Sequence, residues 1–396
     1  MPGSAQSVNT PAPGPRFWAS TPEGSALLTS VTLLIALGVL MSYSTTAVQA
    51  LGESIPRLAQ RHTAGVVLAA LTLVAAARVP LQRWRRLALP LWFVGVALLG
   101  ATLLVGHSAN GAQRWLTIPG LPMALQPAEF ARLASVLAVA ALLARSMETS
   151  GAGKREVMRC ALLAAAPVAL LLLQPDFGSA AVLVAVLALL CFTAGVGLRV
   201  MALPAGLALA GAVAYVSLRP YALARVRGFL DPWPNAQTEG FQLVQSFVAF
   251  GRGGLLGVGL GDGRQKLHYL PEAHTDFILA MIAEEIGLVG VLLVLGCFAV
   301  FARVSLRVAA RSREPFPLLL VTGMMALVLV PALLNAAVVM GLVPTTGLAL
   351  PFLSHGSNSL ICSALAVGIL LRASSADEQR PARRLVSRGR TRPRTA

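Results

Sequence analysis

Ten apolar stretches, most of them near the length that crosses a lipid bilayer, leave this chain few folds to choose from. They lie near residues 25–45, 63–79, 87–106, 127–144, 158–174, 179–196, 200–218, 276–302, 315–341 and 356–372. A helix needs about 20 apolar residues to span hydrocarbon. The first run exceeds the roughly 7–15 residues of a secretory signal's apolar core and is followed by many more, so it reads as a retained helix. The 396-residue chain is 56% hydrophobic and 12% charged, against about 25% charged in a soluble domain, so lipid is its solvent. The expectation is an all-α polytopic membrane protein of about ten transmembrane helices with one long extracytoplasmic loop between helices 7 and 8. Residues 1–24, rich in Pro, Ser, Gly and Thr, read as a disordered cytoplasmic segment. Residues 25–372 form the membrane domain, 219–275 its long loop, and 373–396 a basic cytoplasmic tail.

Charge sets the orientation. The net charge of +16 suggests nucleic acid at first, but the basic residues sit in short blocks between apolar runs and in the tail, and the few aromatics make no stacking platform, so no nucleic-acid partner is expected. With both termini cytoplasmic, 22 of the 32 Lys and Arg fall on the inside, as the positive-inside rule requires; the opposite orientation reverses that bias. The expected location is the cytoplasmic (inner) membrane.

The long loop is the functional suspect. Other outside connections are short, and loops of this length are usually functional or disordered. This one keeps Trp233, Phe241, Phe247, Phe250 and Tyr269, which argues against disorder. It closes with Gln265-Lys266-Leu267-His268-Tyr269-Leu270-Pro271-Glu272-Ala273-His274-Thr275-Asp276-Phe277. Asp276 falls where the next helix begins, at the water–lipid boundary. Desolvation there raises a carboxylate toward the range of a general base, while the helix dipole lowers it. The plain alternative is that Thr275 or Asp276 caps the helix, with Glu272 and His274 as solvated loop groups. Glu284 and Glu285 lie about 12 Å deeper at ~1.5 Å per residue. Carboxylates at that depth are costly and should face the bundle interior. Arg132, itself paired at i,i+3 with Glu129, is the cation in view for them. A structural ion-pair cluster accounts for all four.

The run from Gly251 to Gly263 has seven glycines in thirteen residues. No Gly-Lys-Ser/Thr follows it and no βαβ unit surrounds it, so it is neither a Walker loop nor a dinucleotide fingerprint. It reads as a hinge, or as backbone amides free to approach a phosphate. Arg114, Arg225, Arg227, Arg252, Arg264 and Lys266 would form an outer cationic set suited to a diphosphate, or would simply snorkel. Asp176, in Gln174-Pro175-Asp176-Phe177-Gly178, sits at the tip of a short outside turn. Cys160, Cys191, Cys297 and Cys362 fall in or beside apolar runs at no metal-like spacing and read as small core residues.

Five segments, in order, resemble the SEDS family of FtsW, RodA and SpoVE: GAQRW at 111–115, QPAEFARLA at 126–134, QPDFGSA at 174–180, the stretch from QLVQSF to AEEIG at 242–287, and PTTGLALPFLSHG at 344–356. The wording QKLHYLPEAHTDFI is more like FtsW than RodA. The resemblance implies ten transmembrane helices and a peptidoglycan glycosyltransferase that polymerises lipid II into β-1,4 glycan at the outer membrane face, releasing undecaprenyl pyrophosphate. It places the catalytic aspartate at Asp276. It also implies undecaprenyl-linked glycan as a partner, with a class B penicillin-binding transpeptidase and other division proteins at the septum. Lipid II carries an α-linked diphosphate, so forming a β-bond inverts the centre. Glu272, His274, Lys266, Gln265, Arg264, Arg252, Arg114 and Arg227 are the candidate substrate-binding residues, and Glu129, Arg132, Asp176, Glu284 and Glu285 the structural polar ones. Charge on the leaving group needs cations: arginines, Lys266 or a divalent ion such as Mg2+ or Mn2+. The chain departs from the family where the usual SYGGSS reads Ser354-His355-Gly356-Ser357-Asn358-Ser359, and where the usual Lys of QPSExxK is Arg132. A lipid II flippase and a non-catalytic division scaffold are the competing readings.

Overall fold

The computed structural model describes residues 21–46, 57–109, 112–117, 124–149, 151–266 and 274–378. The expected N-terminal segment up to residue 20, the tail beyond 378 and the loop residues 267–273, Glu272 among them, lie outside it. The chain forms α1 (Pro22–Thr46), α2 (Arg57–Arg78), α3 (Leu81–Val105), the strands β1 (His107–Ala109) and β2 (Ala112–Trp115), α4 (Pro127–Thr149), α5 (Lys154–Leu173), α6 (Phe177–Thr193) and α7 (Leu198–Leu218). Then come α8 (Pro220–Leu230), α9 (Phe241–Gly253), α10 (Ile278–Arg311), α11 (Pro315–Val339) and α12 (Ser357–Glu378).

Among the described residues nine helices are long and apolar enough to cross a membrane, and α6 is a shorter apolar helix. Together they match the ten apolar runs one for one. The protein is a multi-pass α-helical membrane protein. In hydrocarbon a helix satisfies its own backbone N–H and C=O groups, which is why each run becomes helix even where Pro90, Pro167, Pro204 and Pro331 interrupt it.

α4 is the hub, packed on α3, α11, α5, α6 and α12. Of its apolar window 78% is buried, whereas α7 buries none. Small residues explain the difference: Ala128, Ala131, Ala134, Ala138, Ala140 and Ala144 are buried along α4 and let neighbouring backbones approach closely. α7 instead presents Leu203, Leu207, Leu209 and Val213 outward. At one end of the bundle Arg85 makes a two-pronged ion pair with Glu148 (2.7 and 2.9 Å), joining α3 to α4, and Arg311 pairs with Glu23, joining α10 to α1.

Several features differ from the sequence expectation: α1 begins at Pro22, inside the segment expected to be disordered, and α10 runs on to Arg311. The connection 219–275 is not one loop, because α8 and α9 interrupt it. α9 turns Leu243, Val244, Ala249 and Gly253 inward against α10 and α11, and the Ser246 hydroxyl donates to the Val339 carbonyl (2.8 Å). α12 continues six residues past 372. A two-stranded hairpin, β1 with β2, stands between α3 and α4.

Candidate active site

α10 is a broken helix. Gly287 takes φ 77° and ψ −166° inside it, a conformation that only glycine adopts without strain. The break frees backbone groups, and inside a membrane each one left unpaired costs several kcal/mol. The glycine-rich segment closes them. Val258 and Gly259 N–H donate to the carbonyls of Glu284 and Glu285 (2.9 and 3.1 Å), and Leu288 and Val289 N–H donate to those of Gly254 and Leu255 (3.0 and 3.3 Å). A hinge and a phosphate cradle were the two expectations for this run; the structure gives it a third role, as the patch on a broken membrane helix.

Glu284 and Glu285, both fully buried, bind that patch with their carboxylates. Glu284 accepts from the backbone N–H of Arg264 (3.0 Å) and Gln265 (3.1 Å) and pairs with Arg252 at 3.0 Å. Glu285 accepts from Gly261 N–H (3.0 Å) and from the Ser44 hydroxyl, and pairs with buried Lys266 at 2.8 Å. Lys266 Nζ also donates to Ser44 Oγ at 2.9 Å. The two acids therefore meet Arg252 and Lys266 rather than Arg132. The loop amides turn toward internal carboxylates. Gln265 is buried with its N–H on Glu284, whereas Arg252 and Arg264 are exposed.

Asp276 lies in the turn before α10, one residue ahead of the cap position, Phe277, which makes no side-chain cap bond. It is half-buried and lies beside exposed Gly347. A Cβ at Gly347 would stand 3.6 Å from Asp276 Oδ2 and 3.8 Å from Arg225 Nη1, so a carboxylate and a guanidinium border one open point. Arg225 comes from α8. Its Nη1 donates to the Thr345 carbonyl (3.0 Å), its Nη2 donates to the Tyr221 hydroxyl, and its guanidinium lies 4.5 Å over the Tyr221 ring. Buried Asn335 on α11 donates to the carbonyls of both Asp276 and Leu348, each at 2.7 Å. The Ser354 hydroxyl donates to the Thr275 carbonyl (2.6 Å), and His355 N–H to the His274 carbonyl (2.9 Å). The segment 344–356 is thus sewn to 274–276.

The remaining nominated residues lie elsewhere. Arg227 is exposed; the Thr238 hydroxyl and, less strongly, the Arg227 charge hold the Glu239 carboxyl below the usual range. Two residues apart on α8, Arg225 and Arg227 leave the helix in different directions, and of the two Arg225 borders the point beside Asp276. Arg114 donates to the carbonyls of Gln174 and Pro175, fastening β2 to the α5–α6 turn. Asp176 caps α6 by accepting from Ser179 N–H (3.2 Å). Glu129 and Arg132 pair at i,i+3 beside a cavity of ≈10 Å³ between α4, α11 and α12, room for about one water. Arg132 Nε and Nη1, both buried, have no protein partner there. Among the described residues no group of three or more His, Cys, Asp or Glu side chains is placed to hold a metal ion, so those residues build no cage for a divalent cation.

The family model for FtsW, RodA and SpoVE, described as cell cycle protein, matches residues 25–379. The chain is 38% identical over 354 residues to the probable peptidoglycan glycosyltransferase FtsW of Trichlorobacter lovleyi, covering 88% of this chain and 92% of that one. It is 35% identical over 366 residues to the FtsW of the same description from Halomonas elongata, covering 91% and 92%. Among solved structures, a chain from "Structural coordination of polymerization and crosslinking by a peptidoglycan synthase complex" is similar with TM-score 0.72 at 30% identity, over 90% of this chain and 98% of that one. The rod shape determining protein RodA of Thermus thermophilus is similar with TM-score 0.64 at 26% identity, over 88% and 95%.

Proposed function

This chain belongs to the FtsW, RodA and SpoVE family, and from that premise we propose that it is an inverting peptidoglycan glycosyltransferase that polymerises lipid II. The observation that carries the reading is the half-buried Asp276 carboxylate opening onto exposed Gly347 at the end of a membrane bundle. The acceptor's GlcNAc 4-hydroxyl gives its proton to Asp276. Its oxygen attacks the anomeric carbon of the donor MurNAc as the bond from that carbon to the diphosphate oxygen breaks. Undecaprenyl pyrophosphate leaves with the electron pair, and the α-linked donor becomes a β-1,4 bond. Both substrates are lipid-anchored, so a base at the bilayer edge is where they can meet it.

The arginine distribution supports the sidedness. With the N-terminus inside, α8, α9 and Asp276 face outward, and the Arg85–Glu148 and Arg311–Glu23 pairs face the cytoplasm. Residues 25–372 are the membrane domain of this reading, the septum its place of action, and a class B penicillin-binding transpeptidase its partner. Exposed Arg264 and half-buried His274 are the substrate-facing residues of this reading. Lys266, Gln265 and Arg252 act through the Glu284–Glu285 hub instead, and Arg114 through the α5–α6 turn.

Purified protein given lipid II in detergent tests the assignment against transport, because no membrane is there to cross. The expected product is undecaprenyl-linked glycan of many units. Recovery of lipid II unchanged, under conditions where the protein is folded, contradicts it.

A further inference from the structure

We propose that Arg225 is a positioning residue for Asp276, holding the carboxylate toward the open point at Gly347 where the acceptor hydroxyl must enter. This rests on the reading of Asp276 as the base. The guanidinium is itself fixed from two elements, by the Thr345 carbonyl and by the Tyr221 hydroxyl and ring. A guanidinium has five N–H donors, so these contacts leave donors for the carboxylate it borders. The placement closes a ring: Arg225 holds Thr345, Thr345 leads through Gly347 to Leu348, and Asn335 ties Leu348 to the Asp276 backbone. Each part of the site fixes the next, which is how a side chain on a short turn keeps one orientation.

Gly347 completes the arrangement. It is exposed, with φ 74°, and a side chain there would fill the gap between the two charged groups. Arg225 serves the base rather than the leaving diphosphate because it borders the same point as Asp276. In an inverting displacement the base and the departing group lie on opposite faces of the sugar.

The test is steady-state polymerisation of lipid II by the full-length protein carrying Arg225→Ala, Arg225→Lys or Tyr221→Phe, with Asp276→Asn alongside. Arg225→Ala is expected to lower kcat by about a hundredfold, the low end of what a positioned base contributes, with KM changed by less than about threefold. Arg225→Lys keeps the charge but loses the planar fork and is expected to recover about tenfold of that loss. Tyr221→Phe is expected to lower kcat a few-fold. A kcat within about threefold of wild type in Arg225→Ala overturns the proposal, as does a loss confined to KM. Lysine no better than alanine, with both variants melting at the wild-type temperature, also overturns it. Should Arg225→Ala fail to fold, wild-type kcat in both Arg225→Lys and Tyr221→Phe overturns it. An active Asp276→Asn removes the base itself and this proposal with it; an inert Asp276→Asn beside a fully active Arg225→Ala removes this proposal alone.

Discussion

Asp276 stands just before α10 and Glu285 beside its break at Gly287, and the surroundings of these two carboxylates separate their roles. Glu285 is enclosed with Lys266, Ser44 and Gly261, so its bonds are spent inside the protein. Asp276 is half-buried beside an exposed glycine. Sequence reading placed the first as structural and the second at a helix start, because depth along the chain was readable from the apolar run. It could not choose Arg225 over Arg227, since that depends on which face of an unforeseen helix meets the turn. His355 carries its own consequence. Its ring lies 5.4 Å from that of His62 and 5.9 Å from that of His274. Burial first, then His62, His274 and Arg61, push its pKa down from 6.5 to about 4. Between those values the unfolded chain binds a proton that the folded chain refuses. Stability is therefore full above about pH 6.5 and falls as the pH drops toward 4. Thermal unfolding of the purified protein should show the melting temperature falling from pH 7 to pH 5, and His355→Tyr, the residue the family usually carries, should flatten that slope. Equal slopes in the two proteins contradict this origin for it.

At the scale of elements, the apolar runs were legible and the irregular ones were not. Each run is long, continuous and forced into helix by its solvent, so a count of ten survived the structure. The break at Gly287 is invisible in the run, because a glycine in an apolar stretch is usually an ordinary helical residue in a membrane protein. Only the partner segment, with its glycines and the two acids one turn before, hints at it. α8 and α9 were hidden by their polarity, although Leu243, Val244, Ala249 and Gly253 share one face of α9. The two acids hold the patched break together, and this predicts the effect of removing one. Glu285→Ala leaves Lys266, 4% exposed at its side chain, without its counter-charge, which costs about 3–5 kcal/mol. Joint replacement of Glu285 and Lys266 by Met should cost clearly less, because no buried charge is then stranded. Unfolding measured for both variants in detergent checks this; an alanine variant as stable as wild type contradicts the assigned hub.

The whole molecule is a membrane bundle that brings the half-buried Asp276 to the start of α10 beside exposed Gly347, the point where the proposed reaction has lipid-anchored sugars meet it. α4 packs the centre, α10 carries the acids, α11 supplies Asn335, α8 supplies Arg225, and the segment 344–356 binds them into one site. The family, the helix count and the position of Asp276 were all available from residues and spacing, because the segments that carry them are local in sequence. The contacts among α8, the 344–356 segment and 274–276 join residues far apart in the chain, and only the fold brings them together. The central claim is that Asp276 is the base. The measurement that tests it most directly is glycan yield from lipid II with Asp276→Asn against wild type, at equal expression and equal melting temperature. Removing the carboxylate charge while keeping its size is predicted to reduce polymerisation by at least about a hundredfold. Glycan of normal length and yield from the asparagine protein would contradict the account.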